Sequence, residues 1–262
     1  MLTTTSAAPV WSTKHLLTSP PPDITIKDID FDDTNLSGAK YGGLDAKILD
    51  NVLTAAECAA LIAVAETVGH WERAMVNIGN GKQALYTDTR NCGRIIWDDK
   101  EIVNRLWQRV KPHIEPWTRL EGRAEVTGNG PAKRKEVWRA TRLNERMRFL
   151  KYVGGEFFRP HCDGTYETPD RKERSYYTLH LYLNDAMNAA PGERPLQGGA
   201  TVFHDYTMRE RYEVVPKVGR VLVFQHRSLL HSGDDVVQGT KYTLRTDIMY
   251  ELDSMDGNKV DK

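Results

Sequence analysis

The sequence predicts an α+β domain, with supporting helices in its first half and an antiparallel β-sandwich or barrel in its second. Two features carry that expectation. Between residues 44 and 140 apolar residues fall into two capped segments of helical period; from Arg146 onward they fall into short β-type runs separated by turn residues, with no helix between them. Strands in direct succession indicate antiparallel pairing, because parallel strands need long crossover connections. At 262 residues the chain is long for one domain and short for two, and no internal repeat divides it. The expected organisation is an N-terminal arm over 1–43, a single domain over 44–255 (helical part 44–140, β-barrel 141–252) and a tail over 256–262.

The arm is rich in Ser, Thr, Pro and Asp and lacks a sustained apolar period. Thr54-Ala-Ala-Glu57 is a capping box, in which the Thr oxygen accepts from a free backbone amide and the Glu carboxylate reaches back to the cap. The AECAALIAVAETV run behind it is apolar on every side, so a well-buried helix ending near Gly69 is expected. A second helix starts at Asp98 or Asp99. Ile102, Leu106 and Val110 form its stripe, Val103 and Trp107 lie beside it, and Pro112 kinks or ends it. Residues 122–134, with TGNGP among them, read as a loop. The strands expected are RMRFLKYV, SYYTLHLYL, ATVFH, RYEVV, RVLVFQH and KYTLRTDIMY, with GG, PGERPLQGG, PKVG, HSGDD and QG as turns.

Composition removes several function classes. Lys+Arg and Asp+Glu each number 36, with 27% charged and 40% hydrophobic residues, which excludes a generally polybasic nucleic-acid binder and an acidic disordered chain. The balance is locally uneven: acids outnumber bases seven to three over 23–50, and bases outnumber acids ten to four over 119–151. Three scattered cysteines, Cys58, Cys92 and Cys162, make neither a disulfide scaffold nor a zinc ribbon. With no signal-like N-terminus and no apolar run of the roughly 20 residues a membrane span needs, a soluble, cytoplasmic protein is expected.

The chemistry concentrates in the second half. His161-Cys162-Asp163 at a strand end places two donors on one face, since alternate strand residues point the same way. His231, at the end of RVLVFQHRSLLH, supplies a third. Two imidazoles and one carboxylate with open positions form the facial triad that suits non-haem Fe(II). In a chain with eight histidines an H-x-D pair also arises by chance, so its surroundings decide. Neither Gly154-Gly155 nor Gly198-Gly199 lies between a strand and a helix or precedes GK[ST], so both are turns and not phosphate loops.

Those surroundings are Tyr152-Val-Gly-Gly-Glu-Phe-Phe-Arg-Pro-His161, then Leu-Tyr182-Leu-Asn-Asp, Gly198-Gly-Ala-Thr-Val-Phe203, Val215-Pro-Lys-Val-Gly219, and His231 followed ten residues later by Lys241. In order and spacing this series resembles the prolyl 4-hydroxylase-like branch of the 2-oxoglutarate/Fe(II)-dependent dioxygenases, over about Arg146 to Leu252. KILDNVLTAAECAALIAVAE is similar to the helix preceding the catalytic barrel in such proteins. The resemblance implies a double-stranded β-helix (jelly-roll) core, Fe(II) on His161, Asp163 and His231, 2-oxoglutarate and O2 as cosubstrates, and ascorbate as a candidate reductant. It implies oxidative decarboxylation of 2-oxoglutarate to succinate and CO2, coupled to hydroxylation of a C–H bond. Tyr152 and Tyr182 stand where the family places hydroxyls that bond the cosubstrate.

2-Oxoglutarate is a dianion, and its distal carboxylate needs a cation away from the metal. Lys241 occupies the family position. Arg245, on the same strand face, is the better bidentate clamp, and about 13 Å separates the two at roughly 3.3 Å per residue, so both stand as candidates for different jobs. Arg90, within YTDTRN, falls where such enzymes carry a mobile substrate loop. Arg148 shares Tyr152's strand face, and either lines the substrate mouth or pairs with an acid. His180 shares Tyr182's face and is expected to be an interior histidine, because a fourth protein ligand would occupy a position O2 needs. The expected substrate is a peptidyl proline, an amino acid or a small metabolite, taken by a monomer or homodimer. A nucleic-acid base demethylase of the same superfamily and a non-catalytic cupin-like binding or sensor barrel are the alternatives; nucleic acid and membrane are not expected partners.

Overall fold

The computed structural model describes residues 13–79, 82–187, 192 and 194–253; residues 1–12 of the expected arm and the expected tail over 256–262 lie outside them. Two antiparallel sheets face each other. The larger runs in the order Thr25–Asp28, Ala46–Asp50, Val221–Gln225, Glu173–Tyr182, Thr240–Leu252, Arg146–Val153, Gly93–Asp98, Glu72–Arg73, with Val137–Leu143 and Arg119–Glu121 added beside the far end of Thr240–Leu252. The smaller runs Arg211–Val214, Thr201–His204, His231–Gly233, Phe157–His161, Arg90–Asn91. This is the α+β jelly-roll anticipated. The six strands read from sequence are present, and Ala46–Asp50, Gly93–Asp98 and Val137–Leu143 join them.

Parity along the strands divides the large sheet's two faces. Phe149, Leu179, Leu181, Val223, Leu244 and Ile248 point outward into a core with helices α1 (Ala55–Val68) and α2 (Lys100–Val110). Leu150, Tyr152, Thr178, His180, Phe224, Lys241 and Arg245 point inward, towards the small sheet. Burial on both faces is why these strands do not alternate cleanly between apolar and polar. The capping box of α1 forms as expected, and its Glu57 also binds Arg109 of α2, with Oε1 at 2.6 Å from Nη2. Asp99, not Asp98, caps α2 by accepting from Glu101 and Ile102 amides, and the helix ends at Val110 before Pro112.

Three expectations change. Only one face of α1 is buried (Cys58, Ala60, Leu61, Val64, Ala65), while Ala55, Ala56 and Ala59 are exposed. Alanine there reflects helix propensity and not core packing. Residues 122–134 form two helical turns, Ala124–Thr127 and Asn129–Lys133, separated by Gly128 at φ 91°. From Thr13 on, the segment expected as an arm lies against the domain. Leu16, Leu17, Ile29, Phe31, Leu36 and Tyr41 are buried, and Thr25–Asp28 forms the edge strand of the large sheet. Of these only Phe31 lies in a 3₁₀ turn; the others sit in turns and irregular stretches, so they carry no regular apolar period.

Candidate active site

The inward residues of both sheets line a partly open cavity, and the triad forms part of its wall. His161 ends its strand and pairs across to His231, which opens the neighbouring one. The donor atoms of His161, Asp163 and His231 all lie within 4.8 Å of one another. Backbone carbonyls orient both rings: His161 Nδ1 lies 2.8 Å from the Arg159 oxygen and His231 Nδ1 lies 3.0 Å from the Leu229 oxygen. That contact fixes the proton on Nδ1 and leaves Nε2 as the free lone pair. The two Nε2 atoms lie 3.7 Å from Asp163 Oδ1 and Oδ2 respectively.

The electrostatics suit a cation at this point. Burial lowers the proton affinity of His161, to a pKa of about 3, aided by His231; burial lowers that of His231 as well. Both imidazoles are therefore neutral, the state a metal requires. Burial alone would raise the Asp163 pKa, but the Arg245 guanidinium, at 2.9 Å from Oδ1, holds it well below the carboxylate range. Thr178 Oγ1 donates to Asp163 Oδ2 at 2.5 Å. The donor set thus fits Fe(II): two neutral nitrogens and one oriented, ionised oxygen ligand.

Lys241 is 2% exposed, and among the described residues it has no carboxylate within 4.0 Å. Its Nζ lies over the rings of Tyr152 and Tyr182, at 5.2 and 5.8 Å from their centroids. Burial pulls its pKa down to about 8. Gly199, at φ 71°, passes so close that a Cβ there would stand 3.0 Å from Lys241 Cδ, so the glycine pair read as a turn also closes over the lysine stem. Arg245 does a different job, being ion-paired to Asp163 and, at 3.5 Å, to Asp247.

The other expected residues divide. Tyr152 lines the cavity, its hydroxyl beside Cys92 and Arg90 and kept neutral by burial. Tyr182 is not brought to the cavity wall: its hydroxyl donates to Thr201 Oγ1 at 2.6 Å inside the core. The family position that suggested it holds a tyrosine, but in that strand the residues on the cavity wall are Thr178 and His180. Arg148 also lies off the wall and pairs with Asp247 at 3.3 Å. Arg90 is on the wall, 7% exposed, with its guanidinium 4.5 Å over the Phe158 ring.

Sequence reasoning missed Thr178, Phe158 and Asp247. Thr178 was legible from parity with His180. Phe158, stacked on His161 at 3.7 Å, and Asp247, which bridges Arg148 and Arg245, carried no signal of their own. His180 does reach the cavity, and its buried Nε2 has no hydrogen-bond partner among the described residues. Each of the seven arginines in the basic stretch over 119–151 ion-pairs with a carboxylate, and Arg139, Arg146 and Arg148 reach acids outside the stretch to do so. Among the described residues no helix is long and apolar enough to cross a membrane.

Comparison with known proteins agrees with this geometry. Residues 147–246 match the family model of the 2OG-Fe(II) oxygenase superfamily. No curated protein sequence matches. Among solved structures, a prolyl-4-hydroxylase from Pseudomonas putida aligns with a TM-score of 0.50 at 16% identity, covering 79% of this chain and 93% of that one. A Trichoplax adhaerens prolyl hydroxylase, solved with a peptide fragment of the hypoxia inducible factor oxygen degradation domain, aligns with a TM-score of 0.50 at 13% identity, covering 79% and 83%. At these identities the likeness is one of fold.

Proposed function

We propose, from the match of residues 147–246 to the 2OG-Fe(II) oxygenase superfamily model, that this chain is a hydroxylase that couples conversion of 2-oxoglutarate to succinate and CO2 with hydroxylation of a C–H bond in a peptide, amino-acid or small-metabolite substrate. The observation that carries the proposal is the convergence of two Nε2 lone pairs and one ionised carboxylate on one point of a partly open cavity, with, on the same wall, a buried lysine that has no described carboxylate within 4.0 Å. His161, Asp163 and His231 would hold Fe(II) and leave its remaining positions open. When bound, the metal supplies O2 activation at the expense of the 2-oxo acid.

The chain's own residues would do the rest. Lys241 would take the distal carboxylate of 2-oxoglutarate, an ion pair strengthened by the low dielectric around it. Tyr152 and His180 would offer hydrogen bonds to ligand oxygens from the same wall. Arg245 and Thr178 hold Asp163 ionised and turned towards the histidines. Phe158 and Phe224 exclude water beside the two imidazoles.

The test is succinate formation by purified protein with 2-oxoglutarate and O2. Release that requires Fe(II) and disappears in His161→Ala and Asp163→Ala is expected. Equal release in the variants would remove the triad from the reaction.

A further inference from the structure

Five cationic side chains are buried among the described residues: Lys47, Arg90, Arg94, Arg109 and Lys241. Lys47 pairs with Asp28 at 3.1 Å and Arg109 with Glu57 at 2.6 Å. Arg90, Arg94 and Lys241 have no ion pair with any described carboxylate, and all three gather at one place. Arg90 and Lys241 line the active-site cavity, and Arg94, which lies behind the wall and pairs with Leu150 in the neighbouring strand, is close enough to Arg90 for the two charges to repel. A buried charge without a partner is costly, so such groups in folded proteins have counter-charges, metals or ligands.

The hydrogen bonds the two arginines make are to neutral groups, and Glu72, opposite Arg94 in the neighbouring strand, stands beyond ion-pair distance. Arg90 Nη1 reaches the Met75 carbonyl at 3.5 Å, and its Nε is buried with no hydrogen-bond partner. Arg94 Nη1 donates to the Gln83 side chain at 3.3 Å. Neither carboxylate of the inner face relieves them: Asp163 is taken by Arg245, and Asp247 by Arg148 and Arg245. 2-Oxoglutarate does not relieve them either, since on the reading above its two carboxylates go to the metal and to Lys241. One anion is still missing.

We infer that Arg90, backed by Arg94, binds a carboxylate of the primary substrate, which is therefore a small organic acid of amino-acid size. A carboxylate is the smallest planar partner for the free edge of a guanidinium. The size limit comes from the stacking: the Arg90 guanidinium lies 4.5 Å from the Phe158 ring, and that ring lies 3.7 Å from the His161 ring. A carboxylate held there stands within one small molecule's length of the triad. This inference rests on the oxygenase assignment and goes beyond it in naming the substrate's chemistry.

The test uses the full-length protein loaded with Mn(II), as an unreactive stand-in for Fe(II), and saturating 2-oxoglutarate, so that Lys241 is already engaged. Loading itself should raise the melting temperature; no change on loading would overturn the oxygenase assignment and this inference with it. Acetate, as the minimal carboxylate, is then titrated against acetamide and inorganic phosphate. The expected result is a saturable further rise with acetate and none with acetamide, and a Kd for acetate at least tenfold weaker in Arg90→Gln and in Arg94→Gln. Arg90→Lys, which keeps the charge and loses the planar fork, should fall between. Equal responses to acetate and acetamide, or wild-type acetate affinity in both glutamine variants, would refute the inference while leaving the loaded enzyme intact. Tighter binding of phosphate than of acetate would refute the carboxylate.

Discussion

Replacing Lys241 with Met removes a single positive charge from the cavity wall and keeps most of the side chain's volume. In the free protein, burial lowers the lysine pKa from 10.5 to about 8; at 1.36 kcal/mol per pH unit this amounts to roughly 3 kcal/mol against the charged form. The sign follows from linkage. Between about pH 8 and 10.5 the unfolded chain still binds the proton that the folded one has lost, so the penalty is fully present below pH 8 and fades as pH rises through that window. Lys241→Met should therefore melt higher than wild type at pH 7 without ligand. Binding behaves oppositely. Loss of one partner of a buried ion pair costs about 2–5 kcal/mol, so KM for 2-oxoglutarate should rise from about 30-fold to a few thousandfold. In wild type, 2-oxoglutarate binding should also weaken above about pH 8 as the free lysine deprotonates. Succinate release against 2-oxoglutarate concentration, measured from pH 6.5 to 9.5, reads both effects. A KM within threefold of wild type in Lys241→Met would refute the assignment of the distal carboxylate.

Three further outcomes are expected. Asp247→Ala leaves Arg148 and Arg245 facing each other across paired strands without their shared carboxylate; at about 3–5 kcal/mol, Tm should fall by roughly 10 °C in a thermal melt. Tyr182→Phe removes a hydroxyl bonded to Thr201 inside the core, so a stability loss of about 1 kcal/mol is expected with KM for 2-oxoglutarate changed less than threefold; a tenfold change would return Tyr182 to the cosubstrate. Thr54→Ala removes the α1 cap and should cost about 1 kcal/mol in denaturant unfolding, with no change in succinate release once folded.

How much of this was legible in the sequence depended on the range of the signals. The capping box, the α2 stripe and the spacing of His161, Asp163 and His231 are local or nearly so, and survive folding unchanged. Strand parity placed Lys241, Arg245 and His180 on the inner face, yet could not rank them, because their jobs depend on what the opposite sheet presents. Arg245 meets Asp163 across the cavity, whereas Lys241 meets aromatic rings. The family position placed Tyr182 at the cosubstrate; its ring shares the inner face, but its hydroxyl is taken by Thr201 of the opposite sheet. Residues 13–43 were opaque for a different reason: their buried side chains come from turns, irregular stretches and one 3₁₀ segment, and a short edge strand on a sheet composed otherwise of distant residues leaves no periodic mark.

The most direct measurement is Fe(II)-dependent succinate release from 2-oxoglutarate by wild type and Asp163→Ala side by side, with Fe(II) affinity measured on the same samples under anaerobic conditions. Wild type should bind one Fe(II) per chain and release succinate, and the variant should lose both. Tight Fe(II) binding or undiminished succinate release in the variant would contradict the metal centre on which the account stands.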